Sequence, residues 1–102
     1  VKISSVEMLS EGAGAFTALP PLSCGDIGGT AAIAVEESDS VAGQVLLFGG
    51  VDSSSVILAT VQLVDLATGV CTPQPHLPRG RAWQAVGRLP DGRVVCAGGI
   101  GD

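Results

Sequence analysis

Apolar positions along this chain fall into short runs rich in valine and alanine, each closed off by glycine or proline. No run is long enough, or spaced suitably, to form the apolar face of a helix. The segments SVEML (5–9), AFTA (15–18), TAAIAV (30–35), GQVLLFGG (Gly43 to Gly50), VQLVD (61–65), VCT (70–72), AWQAV (82–86) and the stretch from Arg93 to Gly99 read as strands. The intervening segments carry turn chemistry. Glu11 to Gly14 is a glycine-rich turn, Ala67-Thr68-Gly69 and Pro90-Asp91-Gly92 are tight turns, and Pro20, Pro21, Pro73, Pro75 and Pro78 end the strands they follow. Ser23 to Gly29, Glu36 to Ala42 and Val51 to Ser55 read as polar loops.

The pattern occurs twice. GQVLLFGG returns as GRVVCAGG, from Gly92 to Gly99, with the same internal spacing. Earlier in each unit Val6 matches Val61, Phe16 matches Cys71, Thr17 matches Thr72, Pro20 matches Pro75 and Leu22 matches Leu77. Ala34-Val35 aligns with Ala85-Val86. The changes in spacing between these matches fall in loops, as a structural repeat requires. Two repeats follow, about 5–50 and 56–99, forming one structural unit over residues 1–102. A period of about 50 residues with four short strands per unit is the signature of a β-propeller blade.

Composition adds a constraint. Apolar residues make up 46% of the chain and charged residues 15%, against about 25% charged in an average globular protein. A chain of this length and composition is expected to bury surface against further repeats or other chains. The net charge of -5, with five Lys and Arg in all, argues against a nucleic-acid partner. No apolar run approaches the ~18 residues of a membrane-spanning helix, so no membrane partner is expected. Cys24, Cys71 and Cys96 form neither an even set nor a CxxC pair. A disulfide framework or zinc site is therefore not expected, the apolar setting of Cys71 and Cys96 suits small buried hydrophobes, and a reducing compartment such as the cytoplasm is favoured.

Together these residues resemble kelch repeats. The second unit has Arg81 opening a small-apolar strand, the Asp91-Gly92 turn and a strand closing on Gly98-Gly99. VQLVD, Thr68-Gly69 and a proline-rich exit precede it. The sequence departs from the family pattern at Val64 and at Phe16 and Cys71, where the family usually has Tyr and Trp, and the first unit has Thr30 at the place of Arg81. The resemblance implies an all-β fold of kelch-type β-propeller blades. One complete four-stranded blade, about Thr30 to Thr72, would be flanked by two half blades. The propeller would be partial, or completed by flanking repeats of a longer chain or by self-association into a homo-oligomer. Three chains would then supply about six blades. The implied function is a non-catalytic protein–protein interaction module with a protein or peptide partner. The alternative is a scaffold fragment of an enzyme or sugar-binding protein similar to galactose oxidase.

The resemblance also places a ligand face at Arg79 and Arg81, with Asp52, Ser53, Ser54 and Ser55 beside them. Guanidinium groups there would hold an acidic group through paired hydrogen bonds, or Arg81 would pair internally with Asp65 or Asp91. Gly49, Gly50, Gly98 and Gly99 are expected to be structural, since no phosphate-loop lysine or helix follows them. His76, in PQPHLP, has no nucleophile or acid partner in sequence and reads as a surface residue, so no catalytic residue is assigned. Asp26, Glu36, Glu37 and Asp39 do not make a calcium loop, and no metal or cofactor is expected. Trp83 is a core aromatic between blades or a ligand platform.

Overall fold

The computed structural model describes residues 2–35 and 43–101, and Glu36, Glu37 and Asp39 of the acidic loop lie outside them. The chain is all-β, built of small antiparallel sheets of which none is closed. In chain order the strands are β1 (Val6–Met8), β2 (Thr17–Leu19), β3 (Ile27–Gly28), β4 (Ala31–Ala34), β5 (Gln44–Phe48) and β6 (Val51–Asp52). They continue with β7 (Val61–Asp65), β8 (Cys71–Gln74), β9 (Arg81–Ala82), β10 (Ala85–Arg88), β11 (Val94–Ala97) and β12 (Ile100–Gly101).

The central sheet is a four-stranded meander in the order β4-β5-β7-β8. Directly opposed residues on antiparallel strands share a face. Val45 faces Val64 and Leu47 faces Gln62 on one side, while Leu46 faces Leu63 and Phe48 faces Val61 on the other. Ile3, Val6, Leu22 and Ile27 of the N-terminal segment line an open recess of about 330 Å³ together with Val45 and Leu47. At the end of β5, the Gln84 amide donates to the Phe48 carbonyl at 2.8 Å. Leu47, Phe48, Val61 and Val64 are buried, Val64 completely. Burying such a side chain contributes about 1.5–3 kcal/mol.

A two-stranded hairpin lies at each end, β1-β2 and β10-β11, and the repeat is visible in their registers. Val6 opposes Leu19 and Met8 opposes Thr17, as Val61 opposes Gln74 and Leu63 opposes Thr72. The N-terminal hairpin therefore copies the β7-β8 half of the meander residue for residue. At the other end Ala85 opposes Ala97 and Arg88 opposes Val94, as Ala31 opposes Phe48 and Ala34 opposes Val45. The C-terminal hairpin copies the β4-β5 half.

That register corrects three expectations. Ala31, not Ala34, is the counterpart of Ala85, and the strand expected over 82–86 runs over Ala85–Arg88 instead. The shift follows from two short ladders in segments expected to be loop or strand end. Ile27 and Gly28 pair with Asp52 and Val51, as Arg81 and Ala82 pair with Gly101 and Ile100. Ile27, rather than Thr30, thus stands where the second unit has Arg81. Gly29 stands where it has Trp83, and both take left-handed backbone, with φ of 64° and 55°.

The cysteines give a fourth correction. Cys24 and Cys71 form a disulfide, with Cα atoms 5.7 Å apart, and Cys96 is free. An odd count does not prevent two of three thiols from meeting when the fold superposes their loops. Backbone contacts bring them together: Ser23 donates to the Gly69 carbonyl, and its hydroxyl accepts the Cys71 N–H at 2.8 Å. A bond of this kind persists where thiols are not kept reduced, which removes the ground for favouring a reducing compartment. The disulfide ties the N-terminal segment to the far edge of the central sheet across 47 residues of chain. Reducing it, or replacing both cysteines by serine, is expected to lower unfolding stability by about 2–4 kcal/mol. The check is the urea midpoint with and without reductant, where unchanged midpoints would contradict the staple.

Candidate functional site

The residues expected on the ligand face divide between two recesses. Arg79 and Arg81 line an open hollow of about 310 Å³ with Gly98, Gly99 and Gly101. Short ladders position them. The Arg81 N–H donates to the Leu58 carbonyl at 3.1 Å, its carbonyl accepts from Gly50 at 2.9 Å, and its flank pairs with Gly101. The Arg81 guanidinium donates to the Gly98 carbonyl at 3.4 Å, while its Nε is buried with no hydrogen-bond partner. The Arg79 guanidinium lies over the Gly101 backbone, where a side chain would come within 3.0 Å of Nη2. Because Gly98, Gly99 and Gly101 carry no side chains, the hollow is floored by backbone and walled by two cationic groups. Such an arrangement suits a carboxylate or another oxyanion.

Asp52 lies elsewhere. It lines a smaller recess of about 180 Å³ with Cys24, Asp26, Ile27, Leu58, Thr60 and Gln62. Its carboxylate accepts the N–H groups of Ser54 and Val56 at 2.9 and 3.0 Å, which closes a tight loop. Ser53, Ser54 and Ser55 stand exposed on that loop, with Ser55 in left-handed backbone. The backbone of Arg81 reaches Gly50, two residues before Asp52, but the side chains do not share a cavity.

Asp91 is ion-paired with Arg93 at 2.6 Å, and Arg81 turns to Gly98 rather than to Asp91. Trp83 is 63% exposed, so the core-aromatic expectation is corrected. Its left-handed backbone holds the indole over Gly29 instead of between sheets. His76 is exposed. Among the described residues no group of three or more His, Cys, Asp or Glu side chains is placed to hold a metal ion, and no helix is long and apolar enough to cross a membrane.

Gly101 of the hollow, and Gln84 outside it, had no distinct sequence signal. Gly101 follows the diglycine and looks like loop continuation. Gln84 is a polar residue inside an apolar run, and its burial at 7% exposure became visible only once its amide met the Phe48 carbonyl. No protein-family model matches the chain, and no curated protein matches it significantly.

All four expected structural glycines have positive φ: 60° at Gly49, 107° at Gly50, 72° at Gly98 and 87° at Gly99. Their surroundings differ. A side chain on Gly49 would collide with the Arg81 carbonyl, whereas one on Gly98 would meet nothing. Left-handed backbone alone costs an L-residue about 1–2 kcal/mol. Gly98→Ala is therefore expected to lose about 1 kcal/mol and Gly49→Ala at least about twice that. Chemical denaturation of both variants checks the order, which equal losses would contradict.

Proposed function

We propose that the chain is a non-catalytic protein-binding module made of kelch-type propeller blades. In this reading the central meander is one complete blade and the terminal hairpins are halves of two others. The observation that carries it is the repeated register. One pattern builds a whole four-stranded meander at the centre and complementary halves at the two ends. Two-stranded hairpins have little independent stability, and a unit that stacks on its neighbours depends on contacts from beyond itself.

The hollow between Arg79 and Arg81 supplies a ligand chemistry for this module, an acidic side chain or chain terminus of a protein or peptide. Charged hydrogen bonds of this kind contribute about 1.5–3 kcal/mol each, and proportionally less where solvent screens them. Peptides bearing Asp or Glu should bind the protein more tightly than their Asn and Gln counterparts. Changing Arg79→Ala and Arg81→Ala together should weaken that binding at least about tenfold. Calorimetric titration provides the measurement. Equal affinity for acidic and amide peptides, or no effect of the double substitution, would remove the arginine hollow from the reading.

A further inference from the structure

We infer that the two terminal hairpins are completed by each other, between copies of this chain: β11 of one copy pairs antiparallel with β1 of the next. The register places Val94 opposite Leu9, Val95 opposite Met8, Cys96 opposite Glu7 and Ala97 opposite Val6. This deepens the interaction-module reading and rests on it, by naming the partner as a second copy of the chain.

The central sheet supplies the template. Because β10-β11 copies β4-β5 and β1-β2 copies β7-β8, the junction missing from both hairpins is the one that β5 and β7 make within the chain. There Val45 opposes Val64, Leu46 opposes Leu63, Leu47 opposes Gln62 and Phe48 opposes Val61. Substituting each residue by its counterpart in the hairpins gives the register above. Among the described residues no strand pairs with the second edge of β1 or of β11.

Exposure marks the same junction. Leu9 is the counterpart of Val64, yet Val64 is wholly buried and Leu9 is 51% exposed. Val94 and Val95, counterparts of the half-buried Val45 and Leu46, are 37% and 47% exposed. Apolar side chains that are covered where the meander is whole are open where it is cut.

The distribution of proline separates these edges from the outer edges of β8 and β2. The outer edge strand of the central sheet, β8, contains Pro73, and β2 runs directly into Pro20 and Pro21. Proline blunts an edge by withholding a donor. β1 and β11 contain none, and their only charged residue is Glu7. The edges that the template leaves unpaired thus lack the proline that blunts β8 and β2, while β4 and β10, also without proline, lie close to each other within the chain. Each copy offers one edge of each kind, so the contact is head-to-tail and propagates until the ring closes.

Site-directed cross-linking tests the register. Val95→Cys and Met8→Cys are placed on separate chains, each also carrying Cys96→Ser, then mixed and oxidised with glutathione disulfide. Facing residues on paired strands have Cα atoms about 4.5–5.5 Å apart, within disulfide reach. A covalent dimer containing one copy of each variant is expected, and none is expected when Val95→Cys is mixed with Val6→Cys. Light scattering should give a multiple of the protomer mass. Val95→Lys, at an exposed position, should return it to the protomer mass without changing the circular dichroism spectrum. A stable protomer at micromolar concentration, or cross-linking without preference for register, overturns the inference. If such a protomer still binds acidic peptides through Arg79 and Arg81, the edge pairing alone falls and the module reading stands. Oligomers that cross-link in register but bind no peptide support the edge pairing and overturn the arginine hollow.

Discussion

The carbonyl of Arg81 occupies the space that a side chain on Gly49 would need, and the next residue, Gly50, donates its N–H to that carbonyl. This approach joins the end of β5 to the start of the following hairpin. Other contacts depend on it. Arg81 in turn donates to Leu58, and Leu58 donates back to Gly50, so three backbone segments close around one point. The buried Gln84 amide then reaches Phe48 from the same region. Only residues without a β-carbon allow such closeness in left-handed backbone, so the diglycine is a joint between repeats and not a loop decoration. It also determines where the arginines stand, because Arg81 projects from the strand residue whose backbone the glycines hold.

The repeat was legible in the sequence because it rests on periodicity, whereas the strand order of the central sheet was an expectation of the kelch resemblance. Val6 with Val61 and Thr17 with Thr72 survive as equivalent positions in two matching ladders. The alignment of Ala34 with Ala85 did not survive. Small apolar residues in succession, as in TAAIAV and AWQAV, look alike at several offsets, and only hydrogen bonding fixes which alanine faces which residue. The Cys24–Cys71 bond was hidden for another reason. It depends on where the proline-containing segment around Pro21 crosses Gly69, and no local pattern encodes that crossing. Of the candidate site, Arg79 and Arg81 do share a hollow, while Asp52 was displaced from them by its own loop, whose N–H groups engage its carboxylate.

The disulfide and the sheet faces explain each other. Val45, Leu47 and Val64 form an apolar face, and the chain's own N-terminal segment shares an open recess with Val45 and Leu47, although the hairpin it carries has only two strands. Hydrophobic contact alone positions such a hairpin loosely, because it is nondirectional. The Cys24–Cys71 bond, together with the Ser23 hydroxyl on the Cys71 N–H, adds direction at the outer end of the sheet. The Ile3–Ile27 bridge holds the inner part of the same segment. Bridge and staple together hold the N-terminal segment beside that face.

Trp83 shows what belongs to the repeat and what belongs to one copy of it. Its left-handed backbone is shared with Gly29, and both residues follow a two-residue ladder that precedes a strand of the meander pattern. The repeat therefore sets the conformation, which glycine adopts freely and which costs a bulky residue about 1–3 kcal/mol. The two equivalent positions also touch: the Trp83 N–H donates to the Gly29 carbonyl at 2.7 Å, and the indole lies where a side chain on Gly29 would be. A side chain at position 29 would exclude the indole. The glycine in the first unit thus makes room for the tryptophan in the second, and the asymmetry between the two copies is part of how they pack.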